Sequence, residues 1–151
     1  MNPKLKICNK SPHENPSYAK PGDSGMDLRA WINEGKIELK PLERKLVHTG
    51  IYVEIPYGYE IQVRPKSGQA LKRGLVVLNT PGTVDVNYRG EVCVIAINLS
   101  NNILIIEDGE KIAQMVLCPV QHEGLVDIEV VDEISTDTER GSGGFGHTGV
   151  Q

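Results

Sequence analysis

From Ile51 to Pro56 the chain alternates: Ile51, Val53 and Ile55 fall on one side, Tyr52, Glu54 and Pro56 on the other. That is the period of a strand with one face buried. The constraint recurs along the chain. RKLVHTGIYVEI, GYEIQVRP, GEVCVIAINLS, NILIIEDGEKIAQMVLCPV and VDIEVVDEI are short, rich in Val and Ile, and bounded by Gly, Pro, Asn or Asp. Their spacing is that of strands in a sandwich or barrel, so an all-β domain is expected. SGQALKRG reads as the one helix, about two turns ended by Gly74. NYRG reads as a hairpin turn. From Glu139 the apolar period is lost, which divides the chain into a β domain over 1–138 and a flexible glycine-rich tail over 139–151.

A chain of 151 residues can bury roughly two thirds of its unfolded surface in one domain, and no Ser/Pro/Gly linker divides its middle. The net charge of −4 and the scattered basic residues exclude an electrostatic footprint for wrapping nucleic acid, though not a small ligand. MNPKLKICNK lacks a long apolar run, and no segment approaches the ~20 apolar residues of a membrane span, so a soluble, cytoplasmic protein is expected. Cys8, Cys93 and Cys118 are odd in number and without a CxxC pair, the pattern of free thiols. His13, His48, His122 and His147 match no metal-ligand spacing, so no zinc site built by the protein is expected.

Five stretches interrupt this hydrophobic text with polar groups. GDSGMDLRA sets Asp23 and Asp27 around Gly25, which by itself is most often a turn. RPKSGQALKRG sets Lys66, the Ser67 hydroxyl and the Gly68 amide at the start of the helix, either as a site for an anion or as an ordinary Ser cap. NTPGTVDVNYRGEV carries Asn79, Val84, Asp85 and Tyr88. GEKIAQMVLCPV drops Gln114 into a run whose neighbours want burial, where an amide needs partners. ERGSGGFGHTG holds the only phenylalanine, Phe145, among glycines that cannot build a core around it.

In order and wording the five stretches resemble the five motifs of the trimeric deoxyuridine triphosphate nucleotidohydrolases, the dUTPases, from about residue 20 to 149. The resemblance implies a β jelly-roll assembled as a homotrimer, with active sites at subunit boundaries. It implies hydrolysis of dUTP to dUMP and pyrophosphate by water attacking the α-phosphorus, with Mg²⁺ as cofactor. Asp85 is then the base, a carboxylate being ionised at neutral pH and able to orient and deprotonate water. Tyr88 would lie under the deoxyribose and exclude a 2′-hydroxyl. Asn79 would meet the uracil edge with the backbone around Val92, Cys93 and Val94, so that cytosine leaves buried polar atoms unpaired.

By the same resemblance Lys66, Ser67, Gly68 and Gln114 hold the phosphates, and Asp27 touches Mg²⁺ through water, as suits a hard cation that keeps its waters. Lys66 stands where many relatives carry arginine and keeps the charge without the planar fork. His147 stands where serine is usual, and Gln69 has no functional reading. Phe145 would stack on uracil as the tail closes over bound nucleotide, with Arg140 and the backbone of Gly146, His147 and Thr148 at the β- and γ-phosphates. Too few residues follow GSGGFG for the helix that a P-loop or dinucleotide fingerprint must open. Two rivals are a deaminase of the same fold, which needs an acid–base glutamate near the pyrimidine, and a trimeric β module without turnover.

Overall fold

A computed structural model of the chain describes residues 2–144. Its elements are β1 (Lys6–Asn9), β2 (Gly25–Arg29), β3 (Lys36–Leu39), β4 (Arg44–Val47), β5 (Ile51–Glu54), β6 (Tyr59–Arg64), α1 (Ser67–Arg73), β7 (Leu75–Val77), β8 (Gly82–Val84), β9 (Val94–Asn98), β10 (Leu104–Glu107) and β11 (Lys111–Pro119). The fold is all-β as expected. Every strand pair is antiparallel: β1 with β5, β3 with β10, a four-stranded sheet in the order β2-β11-β6-β8, and a three-stranded sheet in the order β4-β9-β7. No described helix is long and apolar enough to cross a membrane.

The alternation at Ile51, Val53 and Ile55 is realised as three buried side chains, with Tyr52 and Glu54 outside the core. Around them Leu28, Leu39, Ile61, Leu75, Ile106, Ile112 and Met115 are fully buried, the last two from β11, which buries side chains on both faces. SGQALKRG forms α1, which Gly74 ends in a left-handed conformation (φ 69°) with its N–H bonded to Ala70 O. The helix begins one residue away from the ordinary Ser cap considered above. Lys66 holds the N-cap position in an extended conformation with no side-chain cap, and Ser67 is the first helical residue.

Two expectations fail. NYRG is not a hairpin turn: the turn runs from Asp85 to Tyr88, closed by Tyr88 N–H donating to Asp85 O at 3.1 Å, with Val86 and Asn87 at its centre. It cannot join a hairpin, because both edges of β9 are taken by β4 and β7 while β8 pairs with β6. VDIEVVDEI forms no strand. Ile128, Val130 and Ile134 are 88%, 93% and 80% exposed, and the one bridge near this segment joins Glu123 to Val126. Val and Ile favour the extended chain, but a strand also needs a ladder partner, and none is offered among the described residues.

Ile61 sits at 0% exposure on β6, between β11 and β8. Ile61→Ala is expected to lower unfolding free energy by about 2–5 kcal/mol, read from urea denaturation; a loss under about 1 kcal/mol would show that the sheet collapses around the cavity.

Candidate active site

The connection from β7 through β8 to β9 lines much of an open cavity of about 350 Å³. Val63, Val77, Val84 and Val92 make it apolar, and Asn79, Asp85 and Tyr88 bring polar groups to it. Asn79 reaches it from the loop before β8, and Asp85 follows directly on the buried Val84, so the short strand fixes where the carboxylate begins. Tyr88 folds back after the turn, its hydroxyl donating to Glu91 O at 2.9 Å. A Cβ at Gly90 would overlap the Tyr88 phenol, so any side chain there would push the ring from its present place.

The far wall is tied to the corner between β4 and β5. Glu91 Oε1 accepts the N–H groups of Thr49 at 2.9 Å and Gly50 at 2.7 Å, and Thr49 Oγ1 donates to Val92 O at 2.5 Å. Val92 N–H is committed to Ile51 O at 2.8 Å, so of the backbone expected to face a base, Val92 has its donor engaged within the chain. Cys93 lines the cavity beside it. Burial and the neighbouring Glu91 carboxylate push the Cys93 thiol up to about 11, so it stays S–H at neutral pH.

A second group of expected residues gathers on the sheet β2-β11-β6. Gln114 on β11 lies opposite Asp27 on β2 and Arg64 on β6. Its Nε2 donates to Pro65 O at 2.9 Å, and its Oε1 occupies the space where a Cβ on Gly25 would stand. Lys66 is ion-paired with Asp27 Oδ1, and Lys111 Nζ lies 2.8 Å from Asp27 Oδ2. Partial burial works to raise the Asp27 carboxyl, but the hydrogen bonds from Lys111 and Lys66 outweigh it and hold the group below the ordinary carboxylate value.

Gln69, left without a role by the sequence, bonds Glu110 Oε1 at 2.8 Å and Lys111 O at 3.1 Å, while Arg73 Nη1 donates to Gln69 Oε1 at 3.0 Å. These contacts clasp α1 to the turn between β10 and β11, and so set where Ser67 and Gly68 stand.

The structure therefore gathers Asn79, Val84, Asp85, Tyr88 and Cys93 at one cavity and Asp27, Lys66 and Gln114 at another place; none of the second group, nor Ser67 or Gly68, lines the cavity. Arg140 bonds within its own segment, Nε donating to Gly143 O at 2.7 Å. Phe145, Gly146, His147 and Thr148 lie outside the described residues. Sequence reasoning missed the cavity walls Val63 and Val77, Glu91 and Lys111. It also missed that His48, Glu91 and Cys93 converge, with ligand-capable atoms within 4.8 Å of one another. The spacing of 48, 91 and 93 carries no signal of this, because two separate segments make the meeting.

The dUTPase family model matches residues 11–149. A deoxyuridine 5′-triphosphate nucleotidohydrolase of Finegoldia magna is 50% identical over 97% of this chain and 99% of its own length. One of Fusobacterium nucleatum is 52% identical over 96% of each chain. A solved structure of the Staphylococcus bacteriophage 80alpha dUTPase with dUPNHPP superposes with a TM-score of 0.84 at 26% identity, covering 97% of this chain and 99% of that one.

The lowered Asp27 carboxyl makes a pH prediction. A carboxylate whose folded value lies below its unfolded one adds stability above the unfolded value, about 4, and loses it as pH falls through the folded value. Melting temperatures of Asp27→Asn should therefore fall less steeply than those of the parent between about pH 5 and pH 3. Parallel curves would mean that the two lysines give Asp27 no net stabilisation.

Proposed function

The chain belongs to the dUTPase family, and on that premise we propose that it hydrolyses dUTP to dUMP and pyrophosphate, with Asp85 activating the water that attacks the α-phosphorus. The observation that carries the reading is the meeting of Asn79, Asp85 and Tyr88 at one largely apolar cavity of about 350 Å³, a size suited to a nucleoside. Asp85 lines this cavity and also the adjoining hollow formed by Tyr59, Val86, Asn87 and His122. In this reading the phosphate chain leaves the base pocket at that boundary, past the Asp85 carboxylate. The carboxylate takes one proton from the water as the oxygen bonds to phosphorus, and the bond to the leaving pyrophosphate breaks.

In this reading the Asn79 amide and the Cys93 backbone read the uracil edge, Val84 closes the pocket floor, and the Tyr88 ring excludes a 2′-hydroxyl. Lys66, Ser67, Gly68 and Gln114 hold the phosphates. A triphosphate competes with Asp27 for Lys66 and Lys111, and the pair of ammonium groups suits a strongly anionic ligand. Arg140, Phe145, Gly146, His147 and Thr148 close over base and phosphates.

Asp27 offers a single carboxylate, already faced by two ammonium groups, which is too few oxygens to cage a cation and fits one that arrives on the substrate with its own waters. Asp27 would hold it through water. Mg²⁺, when bound, neutralises the phosphates' developing charge.

The protein acts as a homotrimer. Two observations support this: the phosphate-side residues of one chain do not line its own nucleoside cavity, and Ile128, Val130 and Ile134 are exposed apolar side chains that another copy can cover. Its place is the cytoplasm, where it limits uracil in DNA and supplies dUMP for dTMP synthesis.

Incubation with dUTP, dCTP, dTTP and UTP plus Mg²⁺ should release pyrophosphate from dUTP alone and no ammonia; ammonia would favour the deaminase. Asp85→Asn should keep nucleotide binding and lose about 10²–10⁴ in kcat, since an amide cannot accept the proton; near-normal turnover would remove Asp85 as the base. Tyr88→Ala should raise kcat/KM for UTP relative to dUTP. If that ratio is unchanged, Tyr88 serves the loop through its bond to Glu91 and not the sugar.

A further inference from the structure

Glu91 has a carboxylate that is aimed before any ligand arrives. Its Oε1 is fixed by the backbone amides of Thr49 and Gly50, which leaves Oε2 facing His48 Nδ1 at 2.8 Å. Cys93 Sγ lies 3.7 Å from the same nitrogen. Three chemically different donors thus surround one point, contributed by the β4–β5 corner and by the approach to β9. The geometry points to a binding site for Zn²⁺, or a comparably thiophilic divalent ion, formed by His48 Nδ1, Glu91 Oε2 and Cys93 Sγ.

The distances decide between this and a chance cluster. With zinc–nitrogen and zinc–sulfur bonds of about 2.1 and 2.3 Å, a nitrogen and a sulfur on one tetrahedral ion lie roughly 3.6 Å apart, and the pair here is at 3.7 Å. Two light donors would sit roughly 3.3 Å apart, so the His48–Glu91 pair has only to open slightly from its hydrogen-bonded 2.8 Å. The His48 ring is exposed, which leaves it free to make that adjustment and leaves a fourth position for water. The donor set selects the metal. Imidazole, carboxylate and thiolate suit zinc, whereas Mg²⁺ prefers six oxygens in octahedral array. This site is therefore separate in chemistry from the cation expected at Asp27.

Binding balances as follows. The S–H bond of Cys93 breaks and its proton leaves to solvent, while the proton of His48 relocates from Nδ1 to Nε2. Bonds from zinc to Sγ, Nδ1 and Oε2 form. One thiolate and one carboxylate neutralise the divalent ion, and one proton is released per metal bound. The amide bonds to Oε1 play the part that outer partners play in known metal sites, since they hold the ligating carboxylate in place. Glu91 and Cys93 also line the nucleoside cavity, so the ion would sit in a wall that the two sites share.

The test uses the full chain and Co²⁺ as the probe. A sulfur-to-cobalt charge-transfer band in the near ultraviolet, saturating at one Co²⁺ per chain and displaced by Zn²⁺, is the expected result. Cys93→Ser should abolish the band. His48→Gln should weaken Zn²⁺ binding at least about 100-fold, more than the 10–100-fold that loss of an outer partner costs. A Cys8→Ser, Cys118→Ser double variant should bind like the parent. No band in the parent overturns the proposal without recourse to any variant. A band that survives Cys93→Ser, or Zn²⁺ affinity unchanged in His48→Gln, overturns it as well.

Discussion

Strand β11 is paired on both edges, to β2 on one side and β6 on the other, and the polar half of the site depends on that double pairing. Its register sets Gln114 opposite Asp27 and Arg64 in the same row, while Ala113 and Met115 on either side are fully buried. Because side chains alternate with a period of two, a slip of one residue would turn the Gln114 amide to the face that Ala113 and Met115 now bury. The cost of burying that amide without its partners holds the glutamine in place. A core side chain thus specifies the position of a functional one, without touching a ligand.

The nucleoside cavity is secured differently. No regular ladder joins β8 to β9, so the wall between them relies on side chains that bond backbone: Glu91 on Thr49 and Gly50, Thr49 on Val92, Tyr88 on Glu91. Burial works to raise the Glu91 carboxyl, and the His48 and amide hydrogen bonds outweigh it, so the group stays charged in this role. One carboxylate substitutes for the missing strand pairing. That economy places a half-buried charge and a thiol in the wall of a ligand pocket.

Much of this was legible in the sequence where the signal is local. The alternation at Ile51, Val53 and Ile55 declares a strand, and the helix from Ser67 ends at Gly74 as its spacing requires. Asn79, Asp85 and Tyr88 were named together because they share one motif, and they meet at one cavity. What stayed hidden depends on pairing between distant segments. VDIEVVDEI has the composition of a strand, but composition says nothing about whether an edge is free to receive it. Val63 and Val77 read only as core, and Lys111 only as a solvated charge, until β6, β7 and β11 are placed beside the residues they serve. Gln69 looked idle for the same reason: its partners Glu110 and Lys111 are 41 and 42 residues away.

Gly25 and Gln114 lie on neighbouring strands, and the amide of one fills the volume that a side chain on the other would claim. A change at one is therefore felt at the other. A methyl group at 25 would push the Gln114 amide from its present place, and with it the bond to Pro65 that orients the loop before α1. Substitutions at the two sites are expected to be strongly non-additive. Gly25 bears no functional group, yet its missing side chain is the room in which the amide of Gln114 stands.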